Sequence, residues 1–168
     1  MQFLRPILLL CAGFLLLPAA GNDVFNGSFE RSGRPDGWEW STFGGGDAAC
    51  AVIRSGGNRH LRIAYRSLQQ PNRYGQLLQN VPLTPGRIYR LSWKMWGKPA
   101  RNICWTLGKH WKLRPALPSV TPEAARHTLR FRAEPDEFDG KLYPVRMICE
   151  NLTPELNLDD IEITEEEL

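Results

Sequence analysis

Six tryptophans, four tyrosines, three scattered histidines and carboxylates gathered towards the two ends are the groups in this 168-residue chain that could do chemistry. His60, His110 and His127 stand in separate segments, with no Gly-rich nucleophile elbow, no HExxH and no Cys/His spacing suited to zinc. A glycosidase needs two carboxylates roughly 5 to 10 Å apart; Glu123 and Glu134 are available, but nothing in the sequence brings them together. No catalytic constellation is visible, so the residues point to binding rather than to an enzyme. One carboxylate stands out. Glu30, in "NGSFERSGRPDGWEW", closes a short apolar strand directly before a Gly/Pro/Asp turn and two tryptophans, Trp38 and Trp40.

The elements that position these groups read as strands. "HLRIAYR" puts Leu61, Ile63 and Tyr65 on one face, and "RIYRLSWKMWG" does the same with Tyr89, Leu91, Trp93 and Met95. "RHTLRFRA", "YPVRMICE" and "LNLDDIEI" repeat the two-residue period, the last with Asp159 on the face of Ile161 and Ile163. Between them lie "SGGN", "QQPN", "LTPG", "GKPARN", "EPDEFDG" and "NLTPE", whose Gly, Pro, Asn and Asp suit turns. Five visible strands with frequent turns and no long helix predict an all-β antiparallel β-sandwich or jelly roll.

That alternation also sorts the aromatics. Trp93 and Trp105 fall on inward faces, and Trp38, after "PDG", plugs the core beneath its turn, while Trp40 stays open. Trp96 shares the opposite face with Arg90, Ser92 and Lys94. Trp111 lies in the basic loop "GKHWKLRPALP", as an exposed platform. From Ala48 to Pro122 there is no Asp or Glu but thirteen Lys and Arg, among them Arg62, Arg66, Arg73, Arg90 and Lys94. The closing "EEEL", residues 165–168, reads as a solvated acidic tail. A basic strand face and single outward aromatics are equally what an ordinary solvated surface presents.

Residues 1–21, "MQFLRPILLLCAGFLLLPAAG", have one positive charge, an apolar run too short to span a bilayer and small residues before Asn22, the pattern of a secretory signal peptide. The expectation is a secreted product, extracellular or periplasmic and without a membrane span. The remaining residues suffice for one domain, 22–164, with its own core. Cys50, Cys104 and Cys149 leave two options open: three buried thiols, or one bridge and a spare thiol. Nucleic-acid binding is possible by charge alone, but export argues against it. The sequons at Asn26 and Asn151 matter only in a eukaryotic secretory pathway.

The order and spacing of "NGSFE", "DGW", "LTPGRIYRLSWKMWGK" and "LNLDDIEI", from Asn26 to about Thr164, resembles carbohydrate-binding modules of families four and nine, in the galactose-binding-like jelly-roll superfamily. The resemblance implies a structural calcium ion. Glu30 matches one carboxylate ligand and Asp159 the other, with Asp160 next, completed by carbonyls of Ser28 and the Ser55 to Asn58 turn; calcium takes six to eight such oxygens. It also implies a ligand-stacking role for Tyr74, beside Arg73, with Trp96 and Trp111 as further outward rings. The basic, acid-free stretch departs from the family pattern. Arginine's planar fork matches carboxylate and sulfate, so the expected ligand is a polysaccharide or other glycan that is anionic. Such modules usually travel with a glycoside hydrolase, so separately encoded hydrolases are the expected partners; a cell-surface or matrix interaction module without sugar binding is the alternative.

Overall fold

The computed structural model describes residues 23–67, 73–98, 103–115, 117–150 and 155–167. The signal-peptide segment, the sequon Asn151 and the side chain of Arg66 lie outside the described residues. The described residues form nine strands: β1 (Glu39–Phe43), β2 (Asp47–Ser55), β3 (Asn58–Ser67), β4 (Tyr74–Val81), β5 (Ile88–Gly97), β6 (Ile103–Leu107), β7 (Ala125–Arg132), β8 (Tyr143–Glu150) and β9 (Glu155–Glu165). They pair antiparallel into a four-stranded sheet, β1-β4-β8-β6, and a five-stranded sheet, β2-β3-β9-β5-β7. This is the expected all-β jelly-roll sandwich. Among the described residues no helix is long and apolar enough to cross a membrane.

Each strand turns alternate residues into one shared core. Trp93 of β5 meets Trp105 of β6 edge-on across the sandwich, centroids 5.6 Å apart, and both rings are buried. A second aromatic chain, Tyr89–Phe131–Tyr143–Phe138, crosses at the other end of β5. The Tyr65 hydroxyl of β3 donates to the Cys149 carbonyl of β8 at 2.7 Å, a further link between the sheets. Cys50, Cys104 and Cys149 are free thiols; burial pushes Cys50 up to about 12 and raises Cys149 too, so neither is a ready nucleophile.

Two local departures from simple alternation set where the polar side chains of the first and last segments point. "NGSFE" is not a strand. Phe29 N–H donates back to Asn26 O, and both residues have positive φ, 56° and 52°. Gly27 lies flat against β9, its carbonyl accepting the Ile161 N–H at 3.0 Å, where an added Cβ would stand 1.8 Å from the Ile161 oxygen. Gly27→Ala is therefore expected to cost about 3 kcal/mol or more of stability, measurable as a lower urea midpoint; an unchanged midpoint would contradict this packing. Asn26 itself is buried, its amide donating to the Asp36 carbonyl, so it cannot carry a glycan in the folded chain. The Gln79 amide clamps the same segment by donating to the carbonyls of Phe25 and Gly37, and Trp38 plugs the core against Phe29 as expected.

The second departure is a bulge. The register between β5 and β9 slips between Ser92 and Lys94, and Asp160 takes φ 47°. Leu156, Leu158, Ile161 and Ile163 all reach the core. Asp159, expected on the face of Ile161 and Ile163, turns instead to the outer side, opposite Lys94. The bulge inserts the extra residue that the regular period lacks.

Candidate functional site

The expected binding residues fall on opposite outer faces of the sandwich. Arg62, Arg90, Lys94 and Trp96 lie on the five-stranded sheet, where β9 supplies carboxylates to its neighbours. Arg62 pairs with Glu155 at 3.0 Å, Lys94 with Asp160 at 2.7 Å, and Arg90 and Arg130 share Glu166 at 2.8 and 2.7 Å. Arg126 reaches both Asp160 and Glu162. Exposed pairs of this kind contribute little stability, but they offset part of the positive field expected from the sequence. Each base lies far along the chain from its acid, so inspection of the acid-free stretch could not reveal the pairing. Nor is the C-terminal acidic run a free tail: β9 continues through Glu165, and Glu166 is held between two arginines. Trp96 is half-buried, its ring centroid 4.7 Å from that of buried His60, whose pKa burial lowers.

Tyr74, Arg73 and Trp111 belong to the four-stranded sheet and its margins. Here register builds a continuous outer surface. Phe43 opposes Tyr74, Ser41 opposes Gln76, and Glu39 opposes Leu78; Gln76 opposes Ile148, and Leu78 opposes Arg146; Cys104 and Thr106 of β6 complete the rows. At one end the Phe43 and Tyr74 rings stack, centroids 4.6 Å apart and 18° between planes. Arg73 packs against the glycine turn, Gly44 to Gly46, that joins β1 to β2. Gln76, Thr106 and Ile148 are buried although they face away from the core. The strip is therefore a recessed floor rather than an open sheet.

At the other end, a turn after β6 folds back so that Leu107 N–H donates to Leu113 O, and Trp111 sits on it with φ 60°. The Arg146 guanidinium lies 5.6 Å from the centre of the Trp111 ring and donates through Nη1 to the Gly108 carbonyl at 2.7 Å. Glu137 holds this turn from beneath. Its carboxylate, 2% exposed, accepts the His110 N–H at 2.7 Å, and its carbonyl accepts the Lys109 N–H at 2.7 Å. Gly108, φ 89°, leaves the needed room: a Cβ there would stand 2.5 Å from Glu137 Oε2. Phe43, Gln76, Glu137 and Arg146 were not expected from sequence; only strand register and the returning turn bring them to Tyr74 and Trp111.

The expected metal ligands divide likewise. Glu30 Oε1 accepts the Arg59 N–H at 2.6 Å, and Asp159 Oδ2 accepts from Asn58 Nδ2 at 2.7 Å, so the two carboxylates bond adjacent residues at the start of β3. Asp159 is 3% exposed, and burial raises its pKa. Asp160 points to Lys94 and Arg126, and Ser28 is exposed on the Asn26–Phe29 turn. Among the described residues no three His, Cys, Asp or Glu side chains cluster for a metal. The Asp159 carboxylate accepts only from the Asn58 amide and the Asp160 N–H, the kind of oxygen donor a hard cation takes.

No family profile matches the chain, and no curated protein does. Solved structures do. A domain of bacteriophage CBA120 tailspike protein 4, described as enzymatically active, aligns with 86% of this chain at 12% identity and TM-score 0.65, over 21% of its own length. A family 4 carbohydrate-binding module aligns over 84% of this chain and 99% of its own at 18% identity and TM-score 0.62. A family 61 module, solved with β-1,4-galactotriose, aligns over 88% and 100% at 16% identity and TM-score 0.61. Modules of families 16, 11 and 22 match in the same way, and so does a Stig cyclase from Fischerella sp. TAU. The chain thus shares the jelly-roll sandwich of carbohydrate-binding modules from several families.

Proposed function

We propose that this chain is a secreted, non-catalytic carbohydrate-binding module that takes polysaccharide along the outer face of the four-stranded sheet. One observation carries the reading: the Phe43–Tyr74 stack and the Trp111–Arg146 pair stand at the two ends of one recessed polar and apolar strip. Sugar rings present flat apolar faces and hydroxyls, and such a strip offers aromatic platforms together with the Gln76 amide and the Ser41 hydroxyl. An anionic chain is the favoured form of ligand, because Arg146 stands in the strip without a carboxylate within salt-bridge distance among the described residues, whereas Arg62, Arg90 and Lys94 of the opposite sheet are each paired. Glu30 and Asp159, bonded to Arg59 and Asn58 at the start of β3, are the ligands of a structural calcium away from the sugar. Separately encoded glycoside hydrolases are its partners. The narrower likeness to families four and nine rests on the sequence segments alone.

A second reading, an interaction module that keeps the scaffold without sugar binding, draws on one observation: Trp96 stands on the sheet opposite Tyr74 and Trp111, so the outward aromatics do not all form one groove. A glycan array with calcium present and neutral, uronate-containing and sulfated glycans decides between the two. The expected result is selective binding that Tyr74→Ala weakens and Trp96→Ala leaves intact. Binding to no glycan class would replace the first reading with the second.

A further inference from the structure

We propose that Arg146 and Trp111 form a subsite for the anionic group of an acidic sugar, a carboxylate or a sulfate, so that the polysaccharide is read as a charged rather than as a neutral chain; this inference rests on the binding-module reading. Arg146 is half-buried in the row of Leu78 and Thr106, neither of them charged. Among the described residues no carboxylate lies within salt-bridge distance of it, unlike Arg62, Arg90, Arg126 and Arg130. The acids that do act on its charge, Asp139 and Glu137, are engaged elsewhere: Asp139 with Lys109 at 3.3 Å, Glu137 with the His110 N–H and Lys112. Glu39, in the same row, is two strands away, about 10 Å. A partly desolvated guanidinium without a counter-charge is costly, and a ligand anion would supply one.

The vacant edge suits an oxyanion. Nη1 is held by the Gly108 carbonyl, which leaves Nε and Nη2. Their two N–H bonds run parallel along one edge and match two oxygens of a carboxylate or of a sulfate. The half-buried Trp111 ring lies beside the guanidinium and fixes its position. Both groups are fixed in advance by the turn that Glu137 and Gly108 support, so little ordering is needed on binding. Tyr74 pairs with Glu150, four residues from Arg146 along β8, an offset of about 13 Å. One oligosaccharide could therefore touch both ends.

The test uses immobilised alginate, pectate and glucuronoxylan, their carboxyl-reduced counterparts, and carrageenan as a sulfated chain without uronate, all at physiological salt. The intact protein is expected to bind at least one acidic polymer, uronate or sulfated, tenfold or more tightly than the carboxyl-reduced chains, and the arm that binds tells carboxylate from sulfate. Arg146→Gln should erase that preference, Arg146→Lys should keep part of it, and thermal melts should report all variants folded. Equal binding of acidic and reduced polymers, or a preference that survives Arg146→Gln, would overturn the subsite and leave the module reading standing. Binding to none of these polymers and to no array glycan would overturn both.

Discussion

Removing the Phe43 and Tyr74 rings together, as Phe43→Ala/Tyr74→Ala, should reduce polysaccharide retention below detection in affinity electrophoresis, with Tyr74→Ala alone weakening it roughly 30-fold, about 2 kcal/mol, as for a central aromatic anchor. The two rings lie nearly parallel and directly opposed across β1 and β4, so a sugar on either rests on a platform stiffened by the other. Phe43 is 39% exposed and Tyr74 half-buried, both on the side away from the core. Their loss should therefore leave the thermal midpoint almost unchanged. Trp96→Ala, on the opposite sheet, should change retention little. Retention that survives the double substitution would remove this end of the strip from the binding site.

Chelation should produce the second large effect. A cation held by Glu30 and Asp159, as proposed above, would stabilise the fold by mass action, about 2.7 kcal/mol at a free calcium one hundred times its dissociation constant, and its removal should lower the melting temperature by about 5 to 10 °C for a domain of this size. The pH dependence has a definite sign. Burial raises the Asp159 carboxyl above its ordinary value, so without metal the native state holds this proton more tightly than the unfolded chain does. The Asp159 contribution is then present at low pH and is lost as pH rises through the raised native value. Calcium needs the ionised form, so the gap between melts with calcium and with chelator should widen as pH rises and close in acid. Asp159→Asn should abolish the gap, whereas Asp160→Asn, which touches only the Lys94 and Arg126 pairs, should preserve it. Identical melts with and without chelator at neutral pH would contradict the metal reading.

Where apolar and polar residues alternate cleanly, the sequence is enough to place side chains. Trp93 and Trp105 face the core, and Trp96 faces outward on the side of Arg90 and Lys94. Other strands hide their period. β6 buries Thr106 as completely as Leu107, and β4 turns Gln79 inward to clamp a distant segment, so neither shows a two-residue contrast. Bulges leave no compositional mark either, which is why alternation alone groups Asp159 with Ile161. The binding strip is least legible because it is made by register: Phe43 meets Tyr74 only when β1 pairs β4, and Arg146 meets Trp111 only when the turn after β6 folds back. Charge misleads for the same reason, since β9 carries the acids that pair Arg62 and Lys94 of the basic stretch.

The most direct test of the central claim is a chemical-shift map of the labelled protein titrated with an oligosaccharide of whichever class the array returns. Binding on the four-stranded sheet predicts perturbations confined to Ser41–Phe43, Tyr74–Leu78, Cys104–Thr106, the turn around Trp111 and Arg146–Ile148. Perturbations centred instead on His60, Lys94 and Trp96, on the opposite sheet, would contradict it.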